Sequence, residues 1–374
     1  MKRTMTNPYH LLRMMLPLLL LSLCACGKAG KTRIDNREVT DMAGRKMVVP
    51  IVIKRVFSTR PGSVALYAVA PDLMVNRSLW MTDGSEKFMS EAYLKLPFAD
   101  GSAEEIIKLH PDVIISWFNV NPKSIEEADR LSAKTGIPVF MVDMDIKRYT
   151  KSFAAIGDLL GRREQTDRMI RYVETWLNPV LDKAGQIPDS RKKRVYYAEG
   201  GMGLNTDPSG SFHSELIDLV GGTNVAKVQL LSGKGMSAVS MEQILKWNPD
   251  IVIVWTGMGP ELTTFRNISG DPLWAKVPAV RDHRIYQIPY QPFGWFDRPP
   301  GTNRILGAIW LANLLYPDVY HIDLERATKE YFSLFFHRDL SDAELREVLA
   351  PHPSAGSRKG QIENKPEGHY EHGR

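Results

Sequence analysis

Apolar positions at helical spacing give way to an unbroken apolar run in Glu104–Trp117, EEIIKLHPDVIISW. Ile106, Ile107 and Leu109 share a helix face behind an acidic start. The Pro-Asp pair ends that helix, because proline has no donor and biases its predecessor away from α geometry. The β-branched residues that follow predict a buried parallel strand, closed by a Trp. The pattern returns in Glu242–Trp255, EQILKWNPDIVIVW. Seven of the fourteen positions are identical, including Glu104/Glu242, Pro111/Pro249, Asp112/Asp250 and Trp117/Trp255. Two helix–strand modules are therefore expected, each with an aromatic at the carboxyl end of a strand, where open α/β sheets bind ligands. Two such lobes would face each other across a cleft.

Other patterns extend both halves. Val39–Pro50, VTDMAGRKMVVP, reads as a hairpin turning at Ala43-Gly44. Lys54–Ser58 reads as a strand, Thr59–Ser63 as a break and Val64–Ala70 as a buried helix capped by Ser63. Arg194–Glu199 is a second such strand, followed by GGMGLNTDPSGS and a helix over Phe212–Val220 that Gly221-Gly222 ends. Gly62-Ser63 and Gly210-Ser211 thus hold equivalent places, at helix starts whose free backbone donors suit an anion. Phe153, Ile156, Leu159 and Leu160 predict a helix before Gly161, and Arg163–Ala184 a long amphipathic one that Pro179 kinks or shortens. One long helix between similar lobes implies small hinge motions. Arg284–Tyr290 is a closing strand; Pro299-Pro300 opens a helix carrying Ile305, Leu306, Ile309 and Trp310, and Asp323–Phe336 is another.

The chain start reads differently. Lys2, Arg3 and Arg13 precede a short apolar run that suits a secretory signal and is too short to span a bilayer. It ends in Leu23-Cys24-Ala25-Cys26, which resembles the bacterial lipoprotein box; a small residue before Cys26, against Leu23 before Cys24, makes Cys26 the expected lipidation site. The chain has no other cysteine, so no internal disulfide is expected. The formal net charge of +5 falls to +2 without residues 1–25, so the pI near 9.0 is weak evidence for an acidic partner. No basic cluster with interleaved aromatics points to nucleic acid. The expected organisation is a signal and lipobox over 1–26, a tether over 27–38, a first lobe over 39–148, a connecting helical segment over 149–190, a second lobe over 191–345 and a disordered tail over 346–374. The tail's His352, His369 and His372 are not expected to hold a metal. No G-x-S-x-G, H-E-x-x-H, P-loop or C-x-x-C occurs, so catalysis is not expected, an enzyme with a site assembled in space being the remaining alternative, and no resident cofactor is expected.

The hairpin VTDMAGRKMVVP, the repeated E-x-I-x-K-x-x-P-D module, GLNTDPSGSFHSELIDLVGGTNVA and the closing strand–loop–helix resemble the substrate-binding proteins of ABC importers, in the group that binds ferric siderophores, haem and vitamin B12. The resemblance runs from about Val39 to Phe336. It implies two Rossmann-like lobes joined by a single long α-helix, with the ligand in the cleft between them. It also implies a monomer, held by its lipid at the outer side of a membrane or in the periplasm, that delivers an iron complex to a permease with a cytoplasmic ATPase. Another metal species, such as a molybdate-type oxyanion, a nickel complex or cobalamin, is the alternative cargo. One glutamate per lobe docks on permease arginines in such proteins, which by the repeat implies Glu104 and Glu242. Strand ends and the loops beyond them nominate Arg60, Trp117, Asn119, Trp255, Tyr290, Trp295 and Arg298 as ligand contacts. Arg60 and Arg298 suit oxyanion or carboxylate oxygens, which predicts an anionic cargo. Trp117, Trp255 and Trp295 would form an apolar wall.

Overall fold

A computed structural model describes residues 35–79, 81, 84–230, 235–255 and 263–350. The signal, Cys26, most of the tether and the three tail histidines lie outside the described residues.

A hairpin of β1 (Asn36–Thr40) and β2 (Lys46–Pro50) opens the fold, with Gly44 at φ 78° in the turn. It takes in Asn36–Glu38, which the sequence assigned to the tether. The first lobe is a parallel sheet of β3 (Val56–Ser58), β4 (Val113–Phe118) and β5 (Val139–Asp143), in that order. In the second lobe β6 (Arg194–Ala198), β8 (Thr223–Asn224), β10 (Ile251–Val254) and β11 (Ile285–Gln287) form a parallel sheet in the order β11-β10-β6-β8. Short strands β7 (Asn205–Thr206) and β9 (Ser237–Ala238) pair antiparallel beside it. Helices cover both sheets, so β4 and β10 read as apolar runs rather than alternations.

The sequence repeat is a structural repeat down to its clamps. Ser102 and Ser240 cap the helices Ala103–Lys108 and Met241–Trp247, their hydroxyls accepting from the amides of Glu105 and Gln243. Ile106 and Ile244 are fully buried. Each helix ends with a left-handed residue before its proline, His110 at φ 44° and Asn248 at φ 44°. The following aspartate then pins the neighbouring strand. Asp112 Oδ2 accepts from the amides of Lys54 and Arg55 at 2.7 and 2.9 Å, and Asp250 Oδ2 from that of Arg194 at 2.8 Å. Arg55 and Arg194 reach back to the helix-end carbonyls of Leu109 and Trp247.

The connection runs through Tyr149–Leu160, turns at Gly161 (φ 66°) and continues from Arg163 to Ala184. Pro179 does not end this helix. A π-helical turn over Val173–Leu177 stands just before it, and the wider turn accommodates the missing donor. The C-terminal helices Asn303–Leu315 and Leu324–Phe335 pack back onto the connection and the first lobe. Tyr172 donates to the Ala327 carbonyl at 2.8 Å, and Gln165 joins Ala68 O to Leu334 O. Tyr331 stacks on Phe335 at 4.3 Å. One core cluster consequently spans both lobes, while each sheet keeps a smaller one on its far face. The helix Asp342–Leu349 continues past the expected lobe boundary at residue 345.

Candidate ligand-binding site

The second sheet ends in a buried ionic cluster. Glu199 follows β6, Asp207 follows β7, and Asp297 and Arg298 lie in the loop after β11. Arg298 donates to Glu199 Oε1 and Asp207 Oδ2, both at 2.8 Å, and to Asp297 Oδ2. All three carboxylates are buried, and Arg298 itself is 22% exposed. Around this core, Ser211 Oγ donates to Asp207 Oδ1 at 3.0 Å and Tyr197 OH to Asp297 Oδ1 at 2.9 Å. His213 Nδ1 faces Asp297 Oδ2 at 2.9 Å. The Trp255 ring lies 5.0 Å from the guanidinium carbon, a cation–π contact. Gly235, at φ 59°, closes over the pair: a Cβ there would stand 2.7 Å from Asp207 Oδ1.

Burial pushes Glu199 well above the ordinary carboxyl range against the pull of Arg298, and the Asp207 and Asp297 charges add to the rise. Burial acts upward on Asp297 too, yet Arg298, His213 and Tyr197 together hold it below its usual 3.8. Burial thus favours the protonated form of Glu199, while its partners favour the ionised form of Asp297. A raised folded value means that the stability linked to Glu199 is whole below pH 4.5 and is lost as pH rises through that value. For Asp297 the sign reverses: its contribution is whole above 3.8 and is lost on acidification. Glu199→Gln keeps an acceptor for Arg298 and replaces the carboxyl proton with an amide donor. It is expected to stay within about 1 kcal/mol of wild type at pH 7 and to abolish the decline of stability above pH 4.5. Urea titrations from pH 4 to 8 measure this; an unchanged slope in the variant would show that Glu199 is ionised in the fold.

The sequence-nominated residues divide. Arg298 and Trp255 belong to the cluster. Arg60 pairs with Asp100 at 3.1 Å and stays 42% exposed. It lies four residues before Val64, whose Cβ is 3.3 Å from where a Cβ on Gly301 would stand, so the Arg60 and Arg298 loops meet at the lobe boundary. There Tyr149 OH donates to Gly301 O at 3.0 Å. Asn119 is exposed just beyond β4. Tyr290 is buried near Glu347, its hydroxyl pushed up to about 12 by burial and then by the Glu347 charge.

Trp117 and Trp295 offer no face to a ligand, contrary to expectation. Trp117 is fully buried against Tyr149 and Phe153, because β4 runs past it to Phe118 and its side chain points at the connecting helix. Phe118, 43% exposed, is the aromatic at that strand's end. Trp295 is 1% exposed and donates to Gln291 O at 2.9 Å. Arg298, too, differs from the expected free anion hook: three acidic side chains already engage its guanidinium. Glu199, Asp207, His213 and Asp297 escaped the sequence reading because nothing local distinguishes a buried carboxylate from a turn residue.

The profile of the periplasmic binding protein family matches residues 69–292. The chain belongs to that family. The molybdate-binding protein MolA of Haemophilus influenzae is 24% identical over 351 residues, covering 85% of this chain and 95% of that protein. A vitamin B12-binding protein of Yersinia pestis is 26% identical over 154 residues, 41% of this chain and 52% of that one. Among solved structures, an ABC transporter solute-binding protein from Sulfurospirillum deleyianum is 31% identical, with a TM-score of 0.76 over 84% of this chain and 99% of its own. The chain is thus an extracytoplasmic solute-binding component of an ABC importer, with the two-lobe fold of this family, and not an enzyme.

Proposed function

We propose that this binding protein captures a metal-centred solute between its lobes and delivers it to a permease, and that it does so as a lipoprotein anchored through Cys26. The carrying observation is the cluster of Glu199, Asp207, His213, Asp297 and Arg298, which gathers charge and a metal-ligating side chain at the strand ends where the lobes meet. The names of the relatives, molybdate-binding and vitamin B12-binding, fall in the same class of cargo. An iron complex, a ferric siderophore or haem, is one member of that class. A bare oxyanion is the second reading, supported by likeness to MolA over nearly its whole length. It is at a disadvantage at Arg298, where it would compete with three buried carboxylates, and would depend more on Arg60.

Protein purified with its cargo, analysed for elements and by mass spectrometry of the extracted ligand, tests the reading: one metal per chain supports it, and a metal-free organic cargo overturns it. Anchoring is tested separately. Cys26→Ser is expected to release the protein from membranes or to block its processing, read by fractionation and N-terminal sequencing. A variant as firmly membrane-bound as wild type, with the same mature N-terminus, would exclude Cys26 as the anchor.

A further inference from the structure

The cluster leaves one metal-ligating atom open. Asp207, His213 and Asp297 each present a donor atom within 4.8 Å of the others, which taken alone resembles a site for a bare cation. Arg298 already fills that role: Asp207 Oδ2 and Asp297 Oδ2 both accept from it, and Ser211 and Tyr197 engage the remaining oxygens. A second cation among them would be repelled by the guanidinium. His213 is different. Its Nδ1 faces Asp297 Oδ2 at 2.9 Å, and Arg298 and Tyr197 OH keep that carboxylate an acceptor, so Nδ1 carries the proton. The Nε2 lone pair is then free, and Nε2 has no hydrogen-bond partner among the described residues; the side chain is 32% exposed. A histidine whose other nitrogen donates to a carboxylate is the usual arrangement of a metal-ligating imidazole, with tautomer and ring orientation fixed and basicity raised.

We propose that His213 Nε2 coordinates the metal centre of the cargo directly, so that the site selects metal complexes with at least one exchangeable coordination position. This rests on the reading that the cargo is metal-centred. The lone pair of Nε2 forms the metal–nitrogen bond, a bound water leaves the complex, and no electron or proton is transferred. Complexes whose single chelator fills every position gain nothing from His213. Among the described residues His213 is the histidine that a carboxylate holds in this way. His337, by contrast, has Nε2 against the Tyr67 carbonyl.

Copper(II)–iminodiacetate, which leaves an equatorial position open to an imidazole, is a suitable probe for the purified full-length protein. The wild type is expected to bind one complex more tightly than the rest, with a nitrogen hyperfine pattern in its paramagnetic resonance spectrum. Histidine-selective nitrogen NMR should show His213 protonated at Nδ1 and broadened first. His213→Ala, at a partly exposed position, should fold and weaken that first binding by roughly tenfold to a hundredfold, while His337→Ala leaves it unchanged. Equal binding in wild type and His213→Ala, or a His213 protonated at Nε2, would overturn the proposal. Because the metal is supplied, this result is independent of the natural cargo: a metal-free cargo defeats the functional reading without altering the copper titration.

Discussion

Arg298→Ala is expected to destabilise the protein by about 3–5 kcal/mol at pH 7, more than any ligand contact would suggest. The substitution removes the guanidinium that pairs with Glu199, Asp207 and Asp297, and each of these side chains is buried. Replacing a buried pair with apolar groups can be neutral, but removing one partner leaves charge stranded in low dielectric. Arg298→Lys should fall between wild type and alanine, because an ammonium is a point charge and cannot hold three carboxylates through two forked nitrogens. The pH dependence adds a second reading of the same mechanism. Without Arg298 the pull that opposes burial at Glu199 and Asp297 is lost, so both shift toward protonation in the fold; the folded state then binds more protons than the unfolded one and stability increases on acidification. Denaturant unfolding at pH 5 and 7 measures both effects. A variant as stable as wild type at pH 7 would mean that the cluster is not paired in solution as it is in the structure. Loss of ligand affinity in Arg298→Ala is therefore interpretable only once its folding is known, whereas His213→Ala reports on the ligand directly.

The Glu104→Ala/Glu242→Ala double variant is expected to abolish uptake while leaving ligand affinity at the wild-type value. Both glutamates sit at the second position of a short helix with a serine cap, one in each lobe, and both are exposed. Neither has an ion-pair partner among the described residues, so nothing within the fold needs their charge. Acidic residues in a first helical turn are favoured by the helix dipole, which costs at most about 1 kcal/mol to lose at an exposed site. Charge at the rim of an interface acts instead on orientation and encounter rate. Transport of labelled cargo by whole cells, beside equilibrium binding to the purified variant, separates the two roles. Uptake at the wild-type rate by the double variant would refute docking through these residues; loss of ligand binding would mean that they act on the cleft. Each single variant should be impaired less than the pair, because one lobe would still be anchored.

The two-lobe plan was legible in the chain because its signals are local. An acidic start, apolar positions at helical spacing, Pro-Asp and a β-branched run each act within a few residues, and the same order occurs twice. The single connecting helix was legible for the same reason, although Pro179 does not stop it and a π turn stands just before it. The site was not legible, because its partners are distant in sequence. Arg298 meets Glu199 across 99 residues and Asp207 across 91, and His213 meets Asp297 across 84. Trp117 and Trp255 hold the same place in the repeat, yet one is sealed under the connecting helix and the other lies over a guanidinium. Sequence placed both at the ends of strands. Only packing decided which faces the core, because burial depends on what the rest of the chain brings against a side chain, and charge pairing depends on which carboxylates the sheet order collects.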